Sequence, residues 1–428
     1  MALAQALARR RVYYGWYIVG LVFVTNLTYA SVGNFSPPVF LKSMTQEMHW
    51  SRTFFSMTVS LGMMMAMPIS LFLGPLVDKR GARVPMMAGG VVLGGGLIMM
   101  GMVHTSWQFI VVRGMIVPLG IIALSQVTPT VVVANWFVKK RGRAMAVTTM
   151  GMAFGAMIAT PVITYLIGAL GWRQAWVVLG VAAWVLVLAP VALLMKRRPE
   201  DMGLLPDGET TGRDGALGRA QPRPEVTWTR REAMRTPTMW FLAFGFPLGT
   251  MGMGAINAHL YSHLTDIDFT TQTAGWIVMT ISAVSLVVKP PWGLLAERIS
   301  PRYCQACAFL IIGVGMGLLA LVGPSRAGLF AATAVMGVGW GGLFILQPLI
   351  WANYYGRLTL GRVQSTVTPI QAVFSPLGPV LAGRVYDATG SYERIFLAFI
   401  GTQVVAAALT LLAVPPKKPQ QAATPGKE

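Results

Sequence analysis

Gly74-Pro75-Leu76-Val77-Asp78-Lys79-Arg80-Gly81-Ala82-Arg83 closes one long apolar stretch, and Gly293-Leu294-Leu295-Ala296-Glu297-Arg298-Ile299-Ser300-Pro301-Arg302 closes another 219 positions later. The same offset carries Gly142-Arg143 onto Gly361-Arg362, Gly171 onto Gly390, and Pro161 onto Val380 beside Pro379. A constant offset over such distances means that the chain is built twice on one plan. Duplicated halves of a polytopic protein, related by an axis along the membrane normal, are what rocking about a central site requires.

Composition agrees with a lipid environment. Apolar residues make up 54% of the 428 and charged residues only 11%, with mean hydropathy +0.60, so too little polar surface remains to solvate a globule of this length. A membrane-crossing helix takes about 20 apolar residues. Apolar runs between charged or Pro/Gly breaks predict twelve spans, at about 14–41, 53–77, 84–103, 108–137, 144–168, 174–195, 238–264, 274–296, 304–323, 328–354, 364–387 and 394–414. The expected fold is an all-α membrane protein of two homologous six-helix bundles, residues 1–195 and 237–414. A linker at 196–236 joins them and a disordered tail at 415–428 follows.

Basic residues set the orientation. Arg9, Arg10 and Arg11 precede span 1, Lys79, Arg80 and Arg83 follow span 2, and Lys139, Lys140, Arg141 and Arg143 follow span 4. With the linker and the later loops, 26 of the 34 Lys and Arg lie on one side. The positive-inside rule puts that side, both termini and the linker in the cytoplasm. The formal charge of +19 is explained by this segregation, so nucleic acid is not an expected partner. The apolar run after Arg11 is too long for a cleavable signal and enters span 1 directly.

Several features have bland readings. Cys304-x-x-Cys307 opens span 9 as two small packing residues, lacking the further ligands of a metal or redox site. Gly337-Val338-Gly339-Trp340-Gly341-Gly342 lies inside an apolar helix with no preceding strand, which excludes a dinucleotide loop. The 27 methionines fill helix interfaces. Gly90 and Gly94, Gly151 and Gly155, and Gly313 and Gly317 have the spacing that lets membrane helices approach. No cofactor and no metal are expected.

The side chain that points to chemistry is Lys289, about two-thirds of the way along span 8 in Ser285-Leu286-Val287-Val288-Lys289-Pro290-Pro291-Trp292-Gly293. A cation at such depth costs about 2.5–3.5 kcal/mol on insertion scales and faces a cavity or a partner. No acid lies within a turn of it, and no Asp or Glu lies in the middle of any span. The natural counter-ion is an anionic substrate, and the two prolines free backbone groups beside the charge. The counterpart of Lys289 in the first half is Ser70, so the charge belongs to the second half alone. Asn26, Tyr29, Gln126, Asn257, Gln347 and Gln371 are hydrogen-bonding groups at comparable depth. Arg113, in the outer part of span 4, is a second buried cation with either a structural or a pathway role, and Arg384 is expected to pair with Asp387. His259 and His263, one turn apart, suggest a gating contact at His259 more than a metal pair. Around Asp78, the motif Gly74, Asp78, Arg80 and Arg83 predicts a cytoplasmic latch, with the two arginines bracing the acid; Glu297 and Arg298 repeat it in the second half.

At these residues the chain resembles the major facilitator superfamily over nearly its whole length. Gly15-Trp16, Trp136-Phe137-Val138-Lys139-Lys140-Arg141 leading into Ala144 and Gly151, and Arg198-Pro199-Glu200-Asp201 with Gly203-Leu204 and Pro206-Asp207-Gly208 resemble the monocarboxylate transporter and oxalate/formate antiporter branch of bacterial type. The resemblance implies a carboxylate-binding role for Lys289, where family members carry Arg. Departures stand beside it: Tyr14 replaces an acid before Gly15, the lysine of animal proton-coupled members falls at Asn34, and their span-8 aspartate falls at Ser285. Asn34 and Ser285 thereby join the expected substrate site. The expectation is a monomeric secondary transporter, not an enzyme, in a bacterial-type inner membrane. It would carry a small carboxylate, most simply a monocarboxylate, with protons or a counter-anion. Export of an apolar or cationic drug or an apolar metabolite, which would be favoured by an acid within the bundle, is the alternative, with a non-transporting sensor behind it.

Overall fold

A computed structural model describes residues 13–34, 36–125, 127–208, 228–374, 377–389 and 391–416. Gln126, Arg9 to Arg11, residues 209–227 and the tail from 417 lie outside the described residues, as does the side chain of Asn34.

Among the described residues, nine helical stretches are long and apolar enough to cross a membrane. One of them, Arg141–Leu194, has 54 residues, about 80 Å of helix at 1.5 Å per residue, far more than a hydrocarbon core of about 30 Å. It doubles back at Gly171, whose φ of 79° and ψ of 161° suit only glycine. The ends of the stretch meet again near span 1 and the end of span 4: Tyr14 Oη donates to the Leu194 carbonyl at 2.7 Å and Trp136 Nε1 to that of Lys196 at 3.4 Å. At the turn, Trp172 Nε1 donates to Glu47 Oε2, and Glu47 also pairs with Arg173. Spans 5 and 6 are therefore two crossings of one merged stretch.

Spans 2 and 11 fall outside the nine. Span 2 is a single helix, Arg52–Arg80, begun by the Ser51 hydroxyl accepting from the Phe54 amide, and span 11 consists of Leu360–Phe374 and Leu377–Thr389. Span 2 and the first segment of span 11, Leu360–Phe374, meet each other between the halves.

Small residues set the packing within each half. A Cβ on Gly151 or Gly155 would fall 2.3–2.4 Å from the Phe23 or Leu27 carbonyl oxygen of span 1, and Gly94 and Gly180 approach in the same way between spans 3 and 6. In the second half, Gly313 and Gly317 face Gln403 and Ile400 of span 12. Between halves, span 2 touches Leu360–Phe374, span 5 touches span 8, and the last segment of span 4, Val127–Trp136, touches Leu360–Phe374. The outer segment of span 11, Leu377–Thr389, instead has its main contacts with spans 7 and 12 of its own half. The halves thus meet at the end rich in Lys and Arg, called here the basic end.

Candidate functional site

Lys289 lies in the helix Thr271–Arg298, about 14 Å from its basic end at 1.5 Å per residue. Ile281, Val284, Ser285, Val288 and Trp292 of this helix meet the glycines of span 10, and Trp292 Nε1 donates to the Val338 carbonyl at 2.7 Å. Gly293 faces the other way: its added Cβ would fall 2.6 Å from the Gly142 carbonyl oxygen of span 5. Lys289 is one turn before Gly293 and on its side of the helix, so it points between the halves immediately beyond their contact. It is 5% exposed, and among the described residues no hydrogen bond or ion pair engages its ammonium. Pro290 and Pro291 lack the N–H groups that would otherwise reach the Leu286 and Val287 carbonyls, so two acceptors flank the charge.

The floor beneath it is a crosswise lock. Gly142 and Gly293 touch backbone to backbone, and Gly74 and Gly361 do the same, a Cβ on Gly74 falling 2.2 Å from the Gly361 carbonyl oxygen. Asp78, 8% exposed, accepts from the Gly361 amide at 3.0 Å and the Arg362 amide at 2.9 Å, the free N–H groups at the start of span 11. Glu297 accepts from the Arg143 amide at 2.9 Å and pairs with Arg143 Nε at 2.9 Å. The four residues are related by the 219-residue repeat: 78 to 297 and 143 to 362. Arg80 and Arg83 do not brace Asp78. Arg80 is exposed, Arg83 donates to the Ala192 carbonyl, and Arg197 Nη2 reaches the Asp78 backbone oxygen at 2.9 Å. The carboxylate is already satisfied by two amides, which leaves those arginines to the solvated surface with Arg298.

The other candidates disperse. Asn26 Nδ2 donates to the Thr148 carbonyl at 2.9 Å, tying span 1 to span 5, while Tyr29 and Asn34 belong to a π turn, Tyr29–Asn34. Ser285 is buried with its Cα against Gly341. Asn257 is exposed and Gln371 half-buried. Gln347 turns into the interior of the second bundle, lining a small cavity with Gln305, Trp351 and Thr410, away from Lys289. Arg113 shares a helix face with Val117 and Gly120, which pack on Gly96 and Leu93 of span 3, so it is set into the first bundle. His259 Nε2 donates to the Pro379 carbonyl at 3.0 Å and Nδ1 faces Tyr392 Oη at 3.2 Å; the carbonyl, having no proton, fixes the tautomer. His263 meets Tyr392 and Phe396 edge-on, so the two histidines join spans 7, 11 and 12 within one half. Arg384 and Asp387 are both exposed and form no ion pair among the described residues.

Two residues escaped the sequence reading. Gln305 is 2% exposed with neither amide atom hydrogen-bonded among the described residues. Arg141 is 5% exposed and donates across the halves to Asn353 Oδ1 at 2.8 Å; only its place beside Gly142 in the repeat hinted at a role beyond charge.

A family model described as "Major Facilitator Superfamily" matches residues 21–274 and 251–428. The chain belongs to the Major Facilitator Superfamily. It is a multi-pass membrane transporter, not an enzyme. Among similar proteins, the human protein "Monocarboxylate transporter 2" is 24% identical over 414 residues, covering 93% of this chain and 85% of its own. The "Probable L-galactonate transporter" of Escherichia coli (strain K12) is 26% identical, covering 79% and 76%, and the "Oxalate:formate antiporter" of Oxalobacter formigenes is 24% identical, covering 80% and 78%. In fold, the solved fucose:proton symporter of E. coli matches with TM-score 0.69 at 15% identity over 93% of this chain and 99% of that one. The proton:xylose symporter matches with TM-score 0.71 at 10% identity over 93% and 95%.

For a Major Facilitator Superfamily transporter, halves joined at the basic end define a carrier closed on that side. Asp78→Asn keeps one good acceptor and loses the charge that favours a helix N-terminus, a contribution of about 0.3–2 kcal/mol. A thiol reporter can be placed by Ser365→Cys in a Cys304→Ser, Cys307→Ser background, because Ser365 is buried beside Gly74. The expected result of Asp78→Asn is a several-fold faster maleimide reaction at this reporter from the basic side. Unchanged labelling would remove Asp78 from the lock.

Proposed function

We propose that this transporter carries small organic anions bearing a carboxylate, monocarboxylates foremost, across a bacterial-type inner membrane with its basic end in the cytoplasm. Lys289 binds the carboxylate. The observation that carries this reading is a buried ammonium between the halves with no protein partner among the described residues, one turn beyond the closed contact. The names of the monocarboxylate and oxalate:formate relatives support it. The anion supplies the missing counter-charge, and its binding removes the cost of a lone buried cation. The test is uptake by proteoliposomes presented with lactate, pyruvate, formate, oxalate and larger acids: saturable uptake of at least one small acid is expected, and uptake of none, with an apolar cation carried instead, would refute the reading.

Coupling follows from the same residue. The described acids hold other partners or lie at helix ends, and Ser285 stands where proton-coupled relatives carry an aspartate, so Lys289 or the substrate itself is left to carry a proton. A lysine, unlike an arginine, can lose its proton when desolvated. Net uptake is expected to quicken with an inward proton gradient, and anion exchange to be much less sensitive. A pH dye trapped in proteoliposomes decides the matter: substrate-dependent acidification marks symport, whereas none, with counter-substrate required, marks obligatory exchange.

A further inference from the structure

The segment after span 6 is folded onto the first bundle at both its ends. At its start, Arg197 Nη2 donates to the Asp78 carbonyl, and the stem of Arg197 lies against Gly81. At its close, the Asp207 carboxylate accepts three successive amides, those of Val138 at 3.0 Å, Lys139 at 2.7 Å and Lys140 at 2.9 Å. Asp207 holds φ at 61°, a left-handed conformation that aspartate tolerates better than most residues. Gly208 next to it lies against the ring of Tyr13, whose hydroxyl donates to the Trp136 carbonyl. Between these anchors runs a short 3-10 turn, Pro199–Met202.

At that turn the segment leaves its own half. Glu200 Oε1 meets Arg357 Nη2 at 2.5 Å, and Arg357 Nη1 donates to the Asn135 carbonyl at 2.6 Å. Arg357 belongs to the connection between spans 10 and 11 and its side chain is 10% exposed. The later stretch of the connection between the halves holds to the second half: Trp228 is buried against Tyr355, its amide donates to Thr359 Oγ1, and Thr236 bonds the Tyr355 hydroxyl. The 219-residue offset places Val138 opposite Arg357, so this contact has no mirror image and lies outside the duplicated lock.

We propose that residues 197–208 form a strap fixed to the first bundle by Arg197 and Asp207, and that Glu200 at its crown hooks Arg357 to hold the basic end closed. Glu200, Asp207 and Arg357 are then positioning residues of the transport cycle. Because the strap moves with the first half, opening the basic end must break the Glu200–Arg357 pair and draw Arg357 away from Asn135.

The test uses the full-length Ser365→Cys reporter without substrate, so it is independent of which anion is carried. Glu200→Gln is expected to raise maleimide labelling from the basic side about five-fold, the size of one partly buried ion pair expressed as a shift between two states. Asp207→Ala, which touches neither member of the pair, is expected to raise it at least as much by freeing the strap. The exchange Glu200→Arg with Arg357→Glu should return labelling toward the starting rate. Unchanged labelling in either single variant, or an exchanged pair that labels as fast as Glu200→Gln, overturns the assignment.

Discussion

Lys289→Gln abolishes transport, by about a hundredfold or more, while the protein still folds and inserts. Truncating one partner of a buried charge pair costs about 2–5 kcal/mol, and in the proposed function the other partner is the substrate. The variant carries a second signature. Without substrate the lysine is an uncompensated buried charge, so its neutral replacement should melt at a higher temperature than the parent. Lys289→Arg keeps the charge and should retain part of the uptake, with altered selectivity because a planar fork replaces a point charge. Uptake and thermal unfolding measured on the same preparations separate the outcomes; parental uptake by Lys289→Gln would show that the carboxylate binds elsewhere.

Gly142→Val opens the basic end and stalls uptake from the far side. Its Cβ would lie 2.1 Å from the Gly293 carbonyl oxygen, a clash that no rotamer relieves because the obstacle is backbone. Overpacking of this kind costs about 1–3 kcal/mol, which as a bias between two conformations is about five- to 150-fold. Gly361→Val, where a Cβ meets the Gly74 carbonyl at 2.6 Å and Asp78 Oδ1 at 2.7 Å, should act alike. Gly168→Val is the control: it lies in the same helical stretch with nothing within 4 Å of the added carbon. Faster labelling of the Ser365→Cys reporter from the basic side in the first two variants and not in the third is the expected result. Equal labelling in all three would mean that the glycine contacts do not govern opening.

Much of this arrangement is legible from the chain alone, for a physical reason. Lipid forces hydrogen-bonded helices and long apolar runs, and duplication prints the same motif twice, so the halves, the Asp78 motif and the isolation of Lys289 all stand out. What the repeat shows is equivalence, not contact: Asp78 and Glu297 occupy matching places, yet each reaches the other half, to 361 and 143, and no offset reveals that crossing. Depth was readable and direction was not. Gln347 and Lys289 sit at comparable depths, but a helix turns about 100° per residue, and one side chain faces its own bundle while the other faces across. Arg141 was hidden by its neighbours, one of a row of cations whose number already had an explanation. The strap's contacts were hidden because Asp207 and Arg197 reach backbone groups, which any sequence supplies, and because Glu200 finds Arg357 157 positions away in the other half.

Reliance on backbone amides governs how such a lock can vary. Its receiving side is chiefly the peptide N–H of Gly361, Arg362 and Arg143, which every residue except proline possesses; among the side chains there Arg143 adds a grip of its own through Nε, and position 361 must stay small. Within those limits inherited change can act on the reach of the acid. The two copies have diverged at that point, with the shorter acid at Asp78 and one methylene more at Glu297. A carrier descended from a doubled gene has in this way a fixed keyhole, written in the main chain, and two keys of different length.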